Sequence, residues 1–144
     1  MRLVAAFVAL PWPTKSQLVR SLCAVTFVRV ALFCVGPRTL ERLAARVARR
    51  RADCVEVSPE VIANLVWTVR AAARAVPSAT CLTQVITAQL LLARRGVGSQ
   101  MRIGVRRTAT GIEAHSWAET VDGRMLFDPG ERAQYSPLTG PYQG

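Results

Sequence analysis

This sequence predicts an α+β domain: a helical N-terminal half, then a helix packed on a small antiparallel sheet. Three observations predict it. Apolar residues recur at three- and four-residue steps as far as about Ala93, the period changes to two after Gly98, and an Asp122-Gly123 pair separates two alternating runs. The 144 residues suffice for one core, and no linker long enough to divide them is present. We therefore read 1–144 as one domain, with a helical part over 1–76, a core over 77–138 and a tail over 139–144.

The elements follow in order. Thr14 or Ser16 is expected to cap a helix running to about Val35, with Leu18, Leu22, Val25, Val28 and Leu32 inward; Gly36-Pro37 stops it. A second helix is expected from Pro37 to Arg50, with Leu40, Leu43, Ala44 and Val47 inward and arginines outward. Ser58-Pro59-Glu60 reads as a cap followed by proline at the first helical position, opening a third helix to about Ala75 with Ile62, Leu65, Val66 and Val69 toward the core. After Pro77-Ser78-Ala79-Thr80 comes a helix begun by Cys81, carrying Leu82, Val85, Ile86, Leu90 and Ala93 on one stripe and ended by Gly96. Met101, Ile103 and Val105 then alternate with polar residues or glycine, Thr108 to Gly111 reads as a turn, and Ile112 to Val121 alternates again. Arg124 to Phe127 completes a third strand, and the Pro- and Gly-rich stretch after Pro129 reads as irregular.

Nineteen Lys and Arg against nine Asp and Glu leave a formal charge of +10, carried almost entirely by arginine. Such an excess favours acidic partners. The densest run, Arg38–Arg51, has no aromatics interleaved, so it lacks the stacking platform of a single-strand binder. It reads as a solvated helix face, and nucleic acid is not an expected partner. Cys23, Cys34, Cys54 and Cys81 form no CxxC, and His115 is the only histidine, which argues against a disulfide scaffold and a structural zinc site. Neither metal nor cofactor is expected, and reduced thiols point to a cytoplasmic setting. The opening Met1-Arg2 and LVAAFVAL imitate a short signal peptide without a small-residue cleavage site. Arg20 and Arg29 interrupt the apolar run Leu18–Val35, so a soluble helix is expected, with peripheral membrane contact left open.

The chemistry centres on Cys81. A helix N-terminus favours a thiolate through its unpaired N–H groups and dipole, and a nearby imidazolium favours it further. The Cys81 N–H would also point toward a substrate oxyanion. If Asp122-Gly123 makes a two-residue turn, Val121 pairs with Arg124 and Trp117 faces Asp128. His115 then lies one diagonal step from Asp128 on the same face, about 7–8 Å away at the backbone. A His–Asp hydrogen bond at that reach would set the imidazole tautomer and leave the other nitrogen for a thiol. Packing the Cys81 helix against this face would complete the constellation of Cys81, His115 and Asp128. Bland alternatives stand beside each residue. The other cysteines read as small buried hydrophobes, Asp128 also suits the start of an Asp-Pro-Gly turn, and Trp117 reads as a core aromatic or the wall of a substrate site.

The stretch PSATCLTQVITAQLLLARRGV, then RIGVRR, then EAHSWAETVDGRMLFDPGERAQYSPL resembles the lasso-peptide biosynthesis B protein in its stand-alone peptidase form, a branch of the transglutaminase-like, papain-related cysteine peptidases. The resemblance spans Pro77 to Leu138. It implies a leader peptidase acting on a ribosomally made precursor, with Cys81 as nucleophile, His115 as base and Asp128 as the residue that orients the base. It also implies two partners, a separate leader-recognition protein and a macrolactam-forming cyclase. Where the family has His-Ala-Trp, this chain has His115-Ser116-Trp117. Two other readings compete: a transglutaminase-like acyltransferase on the same fold, and a non-enzymatic basic module binding nucleic acid or lipid through Arg38–Arg51.

Overall fold

The computed structural model describes residues 11–50, 57–120, 123–128, 130 and 132–138. Among these, four α-helices precede four short strands: α1 (Trp12–Cys34), α2 (Pro37–Arg50), α3 (Pro59–Ala75), α4 (Cys81–Ala93), β1 (Gln100–Thr108), β2 (Gly111–Glu119), β3 (Met125–Phe127) and β4 (Ser136–Pro137). The α+β class is therefore as the sequence predicts. The signal-like opening residues and Cys54 lie outside the described residues.

Helix α1 starts earlier than expected. Pro11 is its cap, Lys15 N–H closes the first turn on Pro11 O, and Ser16 Oγ donates back to Pro13 O. Its buried face also differs from the expected stripe. Gln17 and Ser21 are buried with Val25 and Val28, whereas Leu22 is 40% exposed. The reason is a polar seam with α3: Ser21 Oγ donates to Thr68 Oγ1 at 3.0 Å, and Thr68 Oγ1 donates to Leu65 O. By length and composition alone, α1 is also apolar enough to cross a membrane.

Helix α4 is central. It packs on α1, α2, α3 and β2, and residues from Thr83 to Ala93 are buried on nearly every side, so the single expected stripe was too narrow. Each fully buried Leu or Val here stabilises the fold by roughly 1.5–3 kcal/mol. Thr80 caps the helix, its Oγ1 accepting the Thr83 N–H. Gly96, at φ +81°, ends it, with Gly96 N–H on Ala93 O and Val97 N–H on Leu92 O, a Schellman pairing.

The sheet order is β3-β2-β1-β4, all antiparallel. Two details correct the sequence reading. The β2–β3 reversal is longer than two residues: Thr120 N–H bonds Arg124 O at 2.9 Å, and Gly123 sits at φ +86°. A bulge compensates, because Ala118 pairs with Phe127 while Glu119 pairs with Met125, leaving Leu126 as the extra residue. The stretch after Pro129 is also not irregular throughout. A 3₁₀ turn (Arg132–Gln134) leads into β4, where Pro137 occupies an edge position that needs no N–H.

The two sheet faces have different neighbours. Met101, Ala118 and Phe127 join the core formed with α3 and α4. His115, Trp117 and Glu119 alternate to the other side of β2, where Tyr135 packs. The body of α4 thus covers the face opposite His115, contrary to the expected packing. Strand periodicity identifies which residues share a face, but not which face the helices cover.

Candidate active site

Strand β2 holds His115 at 7% exposure, opposite Gly104 of β1. Its Nε2 lies 2.7 Å from Asp128 Oδ1. Asp128 follows β3 directly, so the bulge sets this contact: the extra residue before Phe127 restores the register in which Asp128 reaches the His115 side. Asp128 Oδ1 also accepts the Gly130 N–H at 2.9 Å, and the Arg70 guanidinium of α3 donates to the Asp128 carbonyl oxygen. The carboxylate is therefore held by the turn that follows it, while its backbone is tied to the helical layer.

Aromatic and backbone surfaces fix the imidazole plane. Tyr135 lies with its ring centroid 4.9 Å from that of His115, and Trp117 follows at 6.2 Å. Gly130 borders the ring so closely that a Cβ there would come within 2.9 Å of His115 Cε1. Gly104 leaves room for Trp117 and Tyr135, since a Cβ at this position would meet both at 2.9–3.0 Å. Trp117 is only 3% exposed, and its indole N–H donates to Glu119 Oε2 at 3.3 Å. That burial makes it a support beside His115 rather than an open substrate surface.

A charged network holds the Gln134–Tyr135 segment against this face. Arg106 bridges to Glu113 at 2.7 Å, donates to Gln134 Oε1 and lies over the Tyr135 ring. The Glu113 carboxyl is held below its usual range, first by its hydrogen bond to Arg106 and then by one to Tyr135. Tyr135 is pushed above the ordinary phenol, first by desolvation and then by Glu113, with the Cys81 charge adding to the rise.

Cys81 is half-buried at the first position of α4. Its N–H is among the first-turn donors that no intrahelical carbonyl accepts. The thiol's charge adds to the rise at Tyr135, whose ring is tilted against His115, but no hydrogen bond between Cys81 Sγ and the imidazole is among the described contacts. The structure thus joins His115 to Asp128 directly. With Nε2 engaged by Asp128, Nδ1 is the ring atom left to serve a thiol. Sequence reasoning missed Gly104, Gly130, Tyr135 and Arg70. An isolated glycine within the alternating β1 run was a usable sign of close approach; Tyr135 and Arg70 carried no comparable signal.

A helix headed by cysteine, followed by a strand bearing histidine and a further strand ending at aspartate, is an arrangement suited to thiol-based acyl transfer. No curated protein and no solved structure matches the chain. The model of the transglutaminase-like superfamily matches residues 22–140, taking in Cys81, His115 and Asp128 together with most of the helical half. This fold is of the type used by cysteine peptidases and acyltransferases, and the chain belongs to the transglutaminase-like superfamily.

Proposed function

We propose that the protein is a cysteine peptidase that removes the leader segment from a ribosomally made lasso-peptide precursor. It acts in the cytoplasm with a separate leader-recognition protein, and a macrolactam-forming cyclase uses the amine it releases. The 2.7 Å contact between His115 Nε2 and Asp128 Oδ1 carries this reading, because it orients the imidazole so that Nδ1 remains for a thiol. The resemblance over Pro77 to Leu138 supports the substrate class.

In this reading Cys81 Sγ attacks the scissile carbonyl carbon, and the developing oxyanion meets the first-turn N–H groups of α4. The carbon–nitrogen bond breaks as the His115 imidazolium gives its proton to the leaving amine. The leader remains as a thioester on Cys81. A water molecule then adds to that thioester, His115 taking its proton, and the thiolate is regenerated with a free leader carboxylate. Asp128 stabilises the imidazolium and holds its plane. Mass spectrometry of a precursor encoded beside this gene, incubated with the enzyme and its leader-recognition partner, tests the proposal. Wild type should yield leader and core fragments while Cys81→Ala yields neither. Equal products from both enzymes would refute it.

Membership of the transglutaminase-like superfamily favours one second reading, in which an amine instead of water resolves the thioester. Adding a primary amine to the same incubation separates the two. A leader–amine adduct as the main product supports the acyltransferase, and a free leader carboxylate supports the peptidase.

A further inference from the structure

A concavity among the described residues lies away from His115, between α1, α2 and the C-terminal end of α4. It encloses about 660 Å³, within the range of ordinary ligand sites. Phe27, Leu43, Val47 and Leu91 form its apolar lining. Phe27 is 59% exposed and Leu43 43% exposed, so apolar surface that could be covered remains in water. Arg20, Arg94 and Arg95 also line the groove. Arg95 donates to the neutral Gln17 Oε1 at 2.8 Å, and among the described salt bridges neither Arg20 nor Arg95 meets a carboxylate. Burial, then the charges of Arg20 and Arg94, hold Arg95 below an ordinary arginine.

We propose that this groove is an exosite for an acidic, apolar-faced segment of the peptide substrate. The inference rests on the peptidase reading above. Charge complementarity selects the segment, because carboxylates would relieve the mutual repulsion of the guanidiniums while leucine-like side chains cover Phe27 and Leu43. Concavity favours a peptide over a bilayer, since a flat lipid surface does not enter a slot between helices. The apolar lining is unsuited to a phosphate backbone. Position ties the groove to the substrate itself: it sits at one end of α4 and Cys81 at the other, about 20 Å along the helix axis. Roughly six residues of extended chain span that distance, so one polypeptide can occupy both places.

Fluorescence anisotropy of a labelled twelve-residue peptide, Glu-Leu-Leu-Glu repeated three times, titrated with the full chain carrying Cys81→Ala, tests this. Binding is expected to weaken at least about tenfold with Arg20→Glu, and again with Phe27→Ser, two exposed positions that carry no core packing. Arg107→Glu, on the far end of β1, should leave it unchanged, and a Lys-for-Glu probe should not bind. The candidate precursor should displace the probe from the Cys81→Ala chain, a readout that needs no cleavage. Displacement without cleavage by wild type in the presence of the leader-recognition partner would sink the peptidase reading and leave the exosite standing. Equal binding by the Lys-for-Glu probe, indifference to both groove substitutions, failure of the precursor to displace, or displacement by phosphatidylglycerol vesicles in its place would each overturn the exosite.

Discussion

Gly130→Ala is the sharpest perturbation of the histidine's setting. A Cβ at this position would lie 2.9 Å from His115 Cε1, 3.3 Å from Nε2 and 3.5 Å from Nδ1. Ordinary carbon contacts begin near 3.4 Å, so the ring or the turn must yield by about 0.5 Å. Either movement acts on the same 2.7 Å bond, because Gly130 N–H and His115 Nε2 share Asp128 Oδ1. Hydrogen bonds to charged groups contribute about 1.5–3 kcal/mol, and losing half of one costs about 0.75–1.5 kcal/mol, or roughly four- to twelvefold in rate. The assay is alkylation of Cys81 by iodoacetamide near pH 6, followed by mass spectrometry of the Cys81 peptide. In the peptidase reading the oriented imidazole activates Cys81, so the wild-type rate should exceed that of Gly130→Ala by roughly four- to twelvefold. Exposed Cys23 and Cys34 serve as internal standards whose rates stay constant. Equal Cys81 rates in the two proteins, with folding intact by circular dichroism, would refute the link between the turn and the thiol.

Further outcomes are expected elsewhere. Gly104→Ala should destabilise the protein by about 1–3 kcal/mol in urea unfolding, because its methyl group would press into Trp117 and Tyr135 at 2.9–3.0 Å; unchanged stability would mean those rings move freely. Ser116→Ala should stabilise by about 1 kcal/mol, since Ser116 Oγ is buried without a hydrogen-bond partner among the described residues, and a loss of stability on thermal melting would show that the hydroxyl has one. Burial raises the Glu41 carboxyl above its ordinary value. The charged form is thus disfavoured in the folded chain, and this group's contribution is greatest below the unfolded pKa and lost as pH rises through the folded one. Glu41→Gln, which keeps an acceptor for the Met101 N–H, should therefore raise the melting temperature at neutral pH and lose that advantage in acid. A constant difference across the range would contradict the assignment.

Local features were legible in the sequence wherever one residue type was required by one backbone geometry. Pro37, Pro59 and Gly96 marked helix boundaries because each restricts or permits a particular φ, and Cys81 was placed at a helix start by the breaker before it. The His115–Asp128 contact was also legible, since a period of two puts both residues on one face. The turn length was not, and the error was absorbed by the bulge at Leu126, which no sequence motif marks. Periodicity likewise could not show that α1 buries Gln17 and Ser21, because the polar seam with Thr68 belongs to a partner 47 residues away. Side-chain pattern thus determined the elements and which residues share a face. Tertiary packing alone decided which face the helices cover, which segment lies over His115, and where arginines from α1 and α4 converge. Those depend on contacts between elements distant in sequence, and no local rule encodes their relative placement.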